Sequence, residues 1–174
     1  MLKLHSRNLK ENRRSSRRRS LVKILLDSTY LLPAVGVSVS NSEKILETLE
    51  WLRKSKKAEF YYSEFSTLEI IAKVAKMNYD EEVVALGLQS IFENLKEAKA
   101  GIKAYLMALK LKSEFKDFID LLLLLTADEN GIKLLTRDRE LKEFATLELL
   151  RSKSHYFGTL NSLITENCRT YKPL

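Results

Sequence analysis

The sequence predicts an α/β fold in which helices cover a parallel sheet. Two short apolar runs, Val22–Leu26 and Ile132–Thr136, have the length and composition of buried strands. The segments between them place apolar residues at helical spacing, and strands that alternate with helical segments are typical of parallel sheets. In such sheets, ligands bind at the carboxyl ends of the strands. The side chains just beyond each strand are therefore the first place to look for function.

The first half of the chain contains two predicted strands and three predicted helices. The strand Val22–Leu26 ends at Asp27, and aromatic residues indicate a second strand at Glu59–Ser63. Residues with capping side chains mark the starts of the helices. These helices begin at Asn41 and run to Lys54, begin at Ser66 and run to about Met77, and begin at Tyr79 with acidic residues in the first turn.

The second half is more helical. The spacing of apolar residues predicts a long helix over Ala98–Glu114 and another over Asp117–Asn130, which Gly131 ends. A strand at Ile132–Thr136 and a short helix at Arg139–Phe144 follow. Residues 89–100 show no clear middle strand, and the structural signals fade beyond Leu150.

The chain is most simply one domain with short extensions. We expect a basic, disordered arm at residues 1–20, a domain at residues 21–150, and a C-terminal extension at residues 151–174 that packs in part or frays. The net charge of +7 comes from the arm: residues 1–23 hold nine basic residues and one acidic one, which leaves 21 basic and 22 acidic residues elsewhere. The body is therefore not a basic nucleic-acid-binding domain by composition.

The arm contains an arginine cluster with two alternative readings. It could attract a nucleic-acid backbone, or it could be a solvated tail. The cluster consists of Arg13, Arg14, Arg17, Arg18 and Arg19.

Composition also excludes several classes of protein. The single cysteine, Cys168, rules out an internal disulfide framework and fits a reducing cytoplasm. The longest apolar stretch, Phe118–Ala127, is interrupted by Asp120 and is far shorter than the roughly 20 residues that a membrane span needs. No apolar region suited to a signal peptide follows the basic start. We expect a cytoplasmic protein with no membrane partner.

Four acidic residues occupy positions that the predicted fold brings to one edge of the sheet. Asp27 and Asp138 lie just past strand ends, and Glu69 and Asp120 fall in the first turns of predicted helices. Each could simply cap a helix or interact favourably with the positive end of its dipole. Together, however, four carboxylates repel one another and favour a bound cation.

Oxygen ligands of this kind select Mg²⁺ or Mn²⁺ rather than zinc. The two histidines do not supply a zinc site, because His5 lies in the arm and His155 is distant from every acidic motif. A divalent metal ion held by these carboxylates for phosphate chemistry is therefore the first candidate function.

Four segments carry a family resemblance. Leu25-Leu-Asp-Ser-Thr-Tyr-Leu-Leu, Ser63-Glu-Phe-Ser-Thr-Leu-Glu-Ile, Asp120 with Thr126-Ala127, and Leu134-Leu-Thr-Arg-Asp resemble, in order, the acidic motifs of PIN domains. The chain is most similar to the VapC toxin branch of these ribonucleases. The leucine run after Asp120 and the basic arm depart from the compact toxins.

The resemblance implies a three-layer α/β/α fold with a central parallel sheet of four to five strands. It implies a metal-dependent endoribonuclease in which Asp27, Glu69, Asp120 and Asp138 hold Mg²⁺ or Mn²⁺ and carry catalysis. The main ligands would be the aspartates, with Glu69 orienting a water or holding a second ion. Hydrogen bonds from side chains around the ligands would orient them, and the residues expected in that role are Thr29, Thr136 and Asp117.

Two further acids lie beside these four in the sequence. Asp117 lies one turn before Asp120 and is either an auxiliary ligand or a surface acid. Glu64 is expected to face solvent.

The resemblance further implies single-stranded or structured RNA as substrate, although the metal site alone could equally serve DNA. It also implies a homodimer and a small antitoxin as partner. The apolar faces of helices Lys44–Lys54 and Ala98–Glu114 are candidate contact surfaces, or they belong to the core.

Two other classes remain open. The chain could be a catalytically silent PIN domain that binds RNA or protein, which the intact acidic set argues against. It could instead be another acidic α/β domain, but it lacks the paired acids that a receiver domain or a haloacid-dehalogenase-type phosphatase would have after the first strand. It also lacks the glycine-rich turn of a dinucleotide-binding domain.

Overall fold

The computed structural model describes residues 21–151, which form a parallel sheet covered by helices on both faces. The predictions for the arm and for residues 152–174 therefore lie outside the described residues. The elements, in chain order, are β1 (Val22–Leu26), α1 (Ser28–Leu31), a 3₁₀ turn (Leu32–Val35), α2 (Glu43–Lys54), β2 (Ala58–Tyr62), α3 (Glu64–Val74), α4 (Glu81–Asn94), β3 (Lys96–Glu97), α5 (Ile102–Leu111), α6 (Phe118–Glu129), β4 (Lys133–Leu135) and α7 (Arg139–Arg151).

The sheet has four parallel strands in the order β3-β2-β1-β4. Strand β1 is central, and its Leu25 pairs with Tyr61 of β2 and with Leu134 of β4. This topology confirms the predicted layered α/β fold with a parallel sheet. It also places the carboxyl end of β1 between those of its two neighbours.

The two faces of the sheet are separated by the alternation of side chains along β1. Leu25 packs on one face in a core built from α5, α6 and α7. Ile24 and Leu26 pack on the other face against α1, the 3₁₀ turn, α2 and α4. Helix α3 contributes to both cores, through Phe65 on one side and Ile70 on the other. The three-layer arrangement follows directly from this period of two.

The leucine run of α6 is explained by burial. Its residues 121–127 are all buried, because the helix lies between the sheet and α5. A helix that is apolar all round needs such an enclosed position. The rigid anchoring of α6 fixes the direction of its first turn, where Asp120 lies.

Several predicted element bounds were wrong. The chain has a short middle strand, β3, which pairs with Tyr61 and Tyr62 of β2. Helix α5 begins at Ile102 rather than Ala98, because the Ala98 amide continues the pairing by donating to the Tyr62 carbonyl (2.8 Å). Helix α7 extends to Arg151, well beyond the predicted Phe144.

The start of α3 also differs from the prediction. Ser63, not Ser66, caps this helix, and its Oγ accepts a hydrogen bond from the Ser66 amide (3.2 Å). Glu69 therefore lies in the second turn of α3 rather than in the first. Asp120 does lie in the first turn of its helix, as predicted.

Helix α4 packs very closely on the 3₁₀ turn at Gly87. A Cβ atom built at this position would lie 2.2 Å from the Ala34 carbonyl oxygen. Only glycine allows this approach of helix and turn. Within the described part of the chain, no helix is long and apolar enough to cross a membrane.

Candidate active site

Asp27 lies at the carboxyl end of β1, the central strand. It is 5% exposed, and its backbone amide donates to the Leu135 carbonyl of β4 (3.1 Å). Asp27 precedes α1, yet its side chain makes no capping hydrogen bond. Its Oδ2 instead accepts a hydrogen bond from the buried Thr136 hydroxyl (2.7 Å). This hydrogen bond holds the carboxylate at the edge of the sheet, where it does not cap the helix.

Glu69 is brought beside Asp27 by a bond between α3 and β1. The Ser66 hydroxyl, which is fully buried, donates to the Leu26 carbonyl at the end of β1 (3.1 Å). Ser66 and Glu69 are three residues apart and so share a face of the helix. The serine that the sequence suggested as a cap therefore has a tertiary role: it fixes α3 against the strand that carries Asp27.

Asp120 reaches the same edge from α6. Asp117 caps this helix, and its Oδ1 accepts hydrogen bonds from the amides of Ile119 (3.0 Å) and Asp120 (3.1 Å). A capped first turn has a fixed direction, which holds the Asp120 side chain at the sheet edge. Asp117 thus acts on the backbone of α6.

The three acids form a compact cluster. Asp27, Glu69 and Asp120 each offer one carboxylate oxygen, and these oxygens all lie within 4.8 Å of one another. Asp27 is buried and the other two are half-buried. Carboxylates this close and this poorly solvated cannot all be ionised without a compensating cation.

Burial, and to a smaller extent the neighbouring charges, raise the pKa values of Asp120 and Glu69. Burial, and then the charges of Glu69, Asp117, Asp27 and Asp138, raise the pKa of Asp120 to about 7. Burial also raises the pKa of Glu69, and the charges of Asp27 and Asp117 add to the rise. A hydrogen bond from Ser28 and the charge of Lys73 oppose it.

One carboxylate oxygen of Glu69 indicates that this cluster binds a ligand. Oε2 is fully buried and has no hydrogen-bond partner among the described residues. An unpaired buried carboxylate oxygen is costly, and a cation is the ligand that would satisfy it. The three acids fit a divalent ion of the Mg²⁺ or Mn²⁺ type, since all their donors are carboxylate oxygens.

Asp138 lies close by but is not one of these three acids. Its backbone amide donates to the Thr136 hydroxyl (3.0 Å), and its Oδ1 accepts from the Leu141 amide and so caps α7 (2.8 Å). Its charge still acts on Asp120. Asp138 thus stands beside the cluster with one of its oxygens engaged.

Thr136 links Asp138 to the cluster. Its hydroxyl accepts from the Asp138 amide and donates to Asp27. The other predicted threonine, Thr29, is half-buried in α1, while the hydroxyl that interacts with Glu69 belongs to its neighbour Ser28. Glu64 is exposed, as predicted, and its Oε1 accepts a hydrogen bond from Tyr105 (3.0 Å).

Comparison with protein-family models identifies the family to which this chain belongs. A family model described as PIN domain matches residues 24–147, which is most of the chain. The chain belongs to the PIN domain family. PIN domains are generally nucleases, which supports a hydrolytic activity for this one.

Several solved structures are similar to this chain. The VapBC2 structure from Rickettsia felis, bound to a DNA fragment from their promoter, is 18% identical with a TM-score of 0.55, and the match covers 69% of this chain and 91% of that chain. PAE2754 from Pyrobaculum aerophilum is 18% identical with a TM-score of 0.47, over 69% of this chain and 77% of that chain. FitAcB from Neisseria gonorrhoeae is 17% identical with a TM-score of 0.46, over 68% and 89%. None of the curated proteins compared matches this chain significantly.

Sequence reasoning missed two residues of this PIN domain site, Ser28 and Lys73. The Lys73 ammonium donates a hydrogen bond to the Ser28 hydroxyl (3.1 Å) beside Glu69. One signal was present in the sequence, because Lys73 follows Glu69 by four positions and so shares its helix face. The predicted RNA-contacting arginines (Arg13, Arg14, Arg17, Arg18 and Arg19) lie outside the described residues.

Proposed function

We propose that this PIN domain protein is a Mg²⁺- or Mn²⁺-dependent endoribonuclease. The observation that carries the proposal is the buried Glu69 Oε2, which has no partner among the described residues and lies in a cluster with Asp27 and Asp120. A domain that only bound RNA or protein would have no need to maintain three repelling carboxylates.

The metal would be held by Asp27, Glu69 and Asp120, and Asp138 beside them is the fourth acid of the proposed catalytic set. A divalent ion bound here would lower the pKa of a water and stabilise negative charge on the scissile phosphate. The all-oxygen donor set favours Mg²⁺ or Mn²⁺ over zinc.

The protein's own groups prepare this chemistry. Thr136 orients the Asp27 carboxylate through its hydroxyl, and Ser28 interacts with the Glu69 carboxylate. The free Oε2 of Glu69 can bind the ion or accept a hydrogen bond from the attacking water. Asp120, with its pKa near 7, would give up its proton when a cation binds.

RNA as the substrate and a toxin role rest on the resemblance to VapC proteins. That resemblance also implies a homodimer, a small antitoxin partner and a cytoplasmic location. The arginine cluster of the arm would add attraction for the RNA backbone. The VapBC2 structure, a DNA-bound complex on a similar fold, is in keeping with a partnered protein.

The test is cleavage of labelled single-stranded and structured RNAs by the full chain with Mg²⁺ or Mn²⁺. We expect cutting that EDTA abolishes and that Asp27→Asn reduces by a factor on the order of 100 or more, the scale on which a group that stabilises developing charge acts. Glu64→Gln is the matched control, because this exposed acid lies on the same helix as Glu69 and should leave cutting unchanged.

Mn²⁺ binding, measured by calorimetry, separates a nuclease from a silent domain. Mn²⁺ binding that depends on Asp27 but is accompanied by no cutting across the RNA panel would contradict the proposed activity. That result would favour a PIN domain that binds RNA or protein without cleaving it.

A further inference from the structure

Lys73 is a cation placed at the edge of the acidic cluster. It lies on α3 one helical turn after Glu69, and its Nζ donates to the Ser28 hydroxyl of α1 at 3.1 Å. Ser28 is 1% exposed, so the lysine side chain reaches from the surface to a buried group. A purely solvated lysine would have no such partner.

The direction of these hydrogen bonds follows from the chemistry of the two groups. An ammonium group can only donate, so the Ser28 oxygen must act as the acceptor toward Lys73. The serine proton is then directed elsewhere, and the carboxylate with which Ser28 interacts is that of Glu69. Lys73 therefore leaves the Ser28 hydroxyl proton available to the Glu69 carboxylate, whose pKa Ser28 lowers.

Lys73 acts on the cluster without occupying it. Within residues 21–151, no ion pair of 4.0 Å or less joins Lys73 to an acid, although its charge stabilises the Glu69 carboxylate. The lysine thus leaves Glu69 Oε2 unengaged. The Glu69 Oε2 atom therefore stays available to bind an ion, and the Lys73 ammonium supplies a positive charge beside the cluster.

We propose that Lys73 is a positioning residue that holds Glu69 through Ser28 and takes the place of a second divalent ion. The inference rests on the proposed function. Three ionised carboxylates carry a charge of −3, one divalent ion leaves −1, and Lys73 brings the sum to zero. This sum covers only the three clustered acids; the charges of Asp117 and Asp138 also act on Asp120, but each of these two carboxylates is stabilised by the helix N-terminus that it caps.

The experiment is Mn²⁺ titration of the full chain by calorimetry, together with kcat and KM for RNA cleavage. We expect the wild type to bind one ion. Lys73→Met should bind a second ion, and its kcat should fall about tenfold, the lower end of what loss of a residue supporting a metal ligand costs, with little change in KM. Lys73→Arg keeps the charge and should restore single-ion binding and most of kcat.

Two further variants separate charge from position. Ser28→Ala keeps the cation but breaks the hydrogen-bonded link, so it should lower kcat while still binding one ion. Lys76→Met removes an exposed lysine just beyond the end of α3 and should change neither quantity.

The outcomes that would overturn the inference are distinct from those that would overturn the proposed function. Two ions in the wild type, unchanged binding and kcat in Lys73→Met, or a change in KM alone would overturn the role of Lys73 while leaving a metal nuclease in place. A wild type that binds no Mn²⁺ at an Asp27-dependent site would overturn the proposed function, and this inference with it.

Discussion

The Asp120 carboxyl couples the site to the stability of the whole domain. Its pKa rises from 3.8 to about 7 on folding, so the folded state holds the proton more tightly than the unfolded chain does. The corresponding stabilisation is fully present below pH 3.8 and is lost as the pH rises through 7. A metal-free site is therefore a source of instability at neutral and alkaline pH.

We predict that Asp120→Asn stabilises the metal-free protein at pH 8, by about 1–2 kcal/mol once solvent screening of a half-buried group is included. At pH 4 the two proteins should have nearly equal free energies of unfolding from this source. Mn²⁺ should reverse the order at pH 8, because only the wild type gains fully from binding it. Thermal unfolding followed by circular dichroism, in EDTA and in Mn²⁺, measures both effects.

The control for this prediction is Glu47→Gln, which changes an exposed acid on α2. It should show neither the stabilisation at pH 8 nor the reversal by Mn²⁺. Equal stabilities of the wild type and Asp120→Asn across the whole range, in EDTA, would contradict the raised pKa of this carboxyl.

Some residues of the site could be placed from the sequence and others could not. Asp27 could be placed because a short apolar strand ends directly before it. The link from Lys73 to Ser28 could not be placed, since it joins residues 45 positions apart whose contact depends on how α3 packs against α1. A charged residue on a helix gives no sequence signal of which buried group it will reach.

Secondary-structure elements could be predicted where the local sequence has a clear pattern. They were missed where an element depends on hydrogen bonds to a neighbouring strand. The apolar strand β1 and the helix α6 carry strong local signals. Strand β3 consists of two exposed residues, Lys96 and Glu97, and exists only because β2 is beside it. The start of α5 was misplaced for the same reason, because Ala98 is held by the Tyr62 carbonyl of β2.

The junction between α4 and the 3₁₀ turn gives a prediction about elements. Gly87→Ala should lower the free energy of unfolding by about 2–3 kcal/mol, because the added methyl group would meet backbone atoms of Ala34 and Val35 that cannot move aside easily. Chemical denaturation of the purified variant measures this change.

Gly131→Ala is the informative comparison for the α4 junction. A methyl group there has no atom within 4 Å, so its cost comes only from the positive φ of 63° and should be about 1 kcal/mol. Equal losses in the two variants would contradict steric contact as the reason for glycine at position 87.

At the scale of the whole molecule, α5 presents an apolar stripe that residues 21–151, the part of the chain that the structure describes, do not cover. Ile102, Leu106 and Leu109 are 77%, 55% and 54% exposed and follow the spacing of one helix face. Helix α2, the other candidate surface from the sequence, buries Leu49 and Leu52 in the core. If the protein is a homodimer, as its resemblance to VapC proteins implies, α5 is the better candidate interface.

The double variant Leu106→Glu, Leu109→Glu should therefore convert a dimer into monomers, because it places charges in the centre of the apolar stripe. Sedimentation of the full chain at micromolar concentration measures the change, and circular dichroism should show an unchanged fold, since both side chains are exposed. Leu86→Glu is the control: Leu86 is 66% exposed on α4, outside the stripe, and its change should leave the dimer intact.

A double variant that sediments like the wild-type dimer would exclude this face, and a monomeric wild type would exclude a homodimer altogether. Metal-dependent cutting by the monomeric variant would further show that one domain carries the complete set of Asp27, Glu69 and Asp120, as their proximity within a single chain leads us to expect.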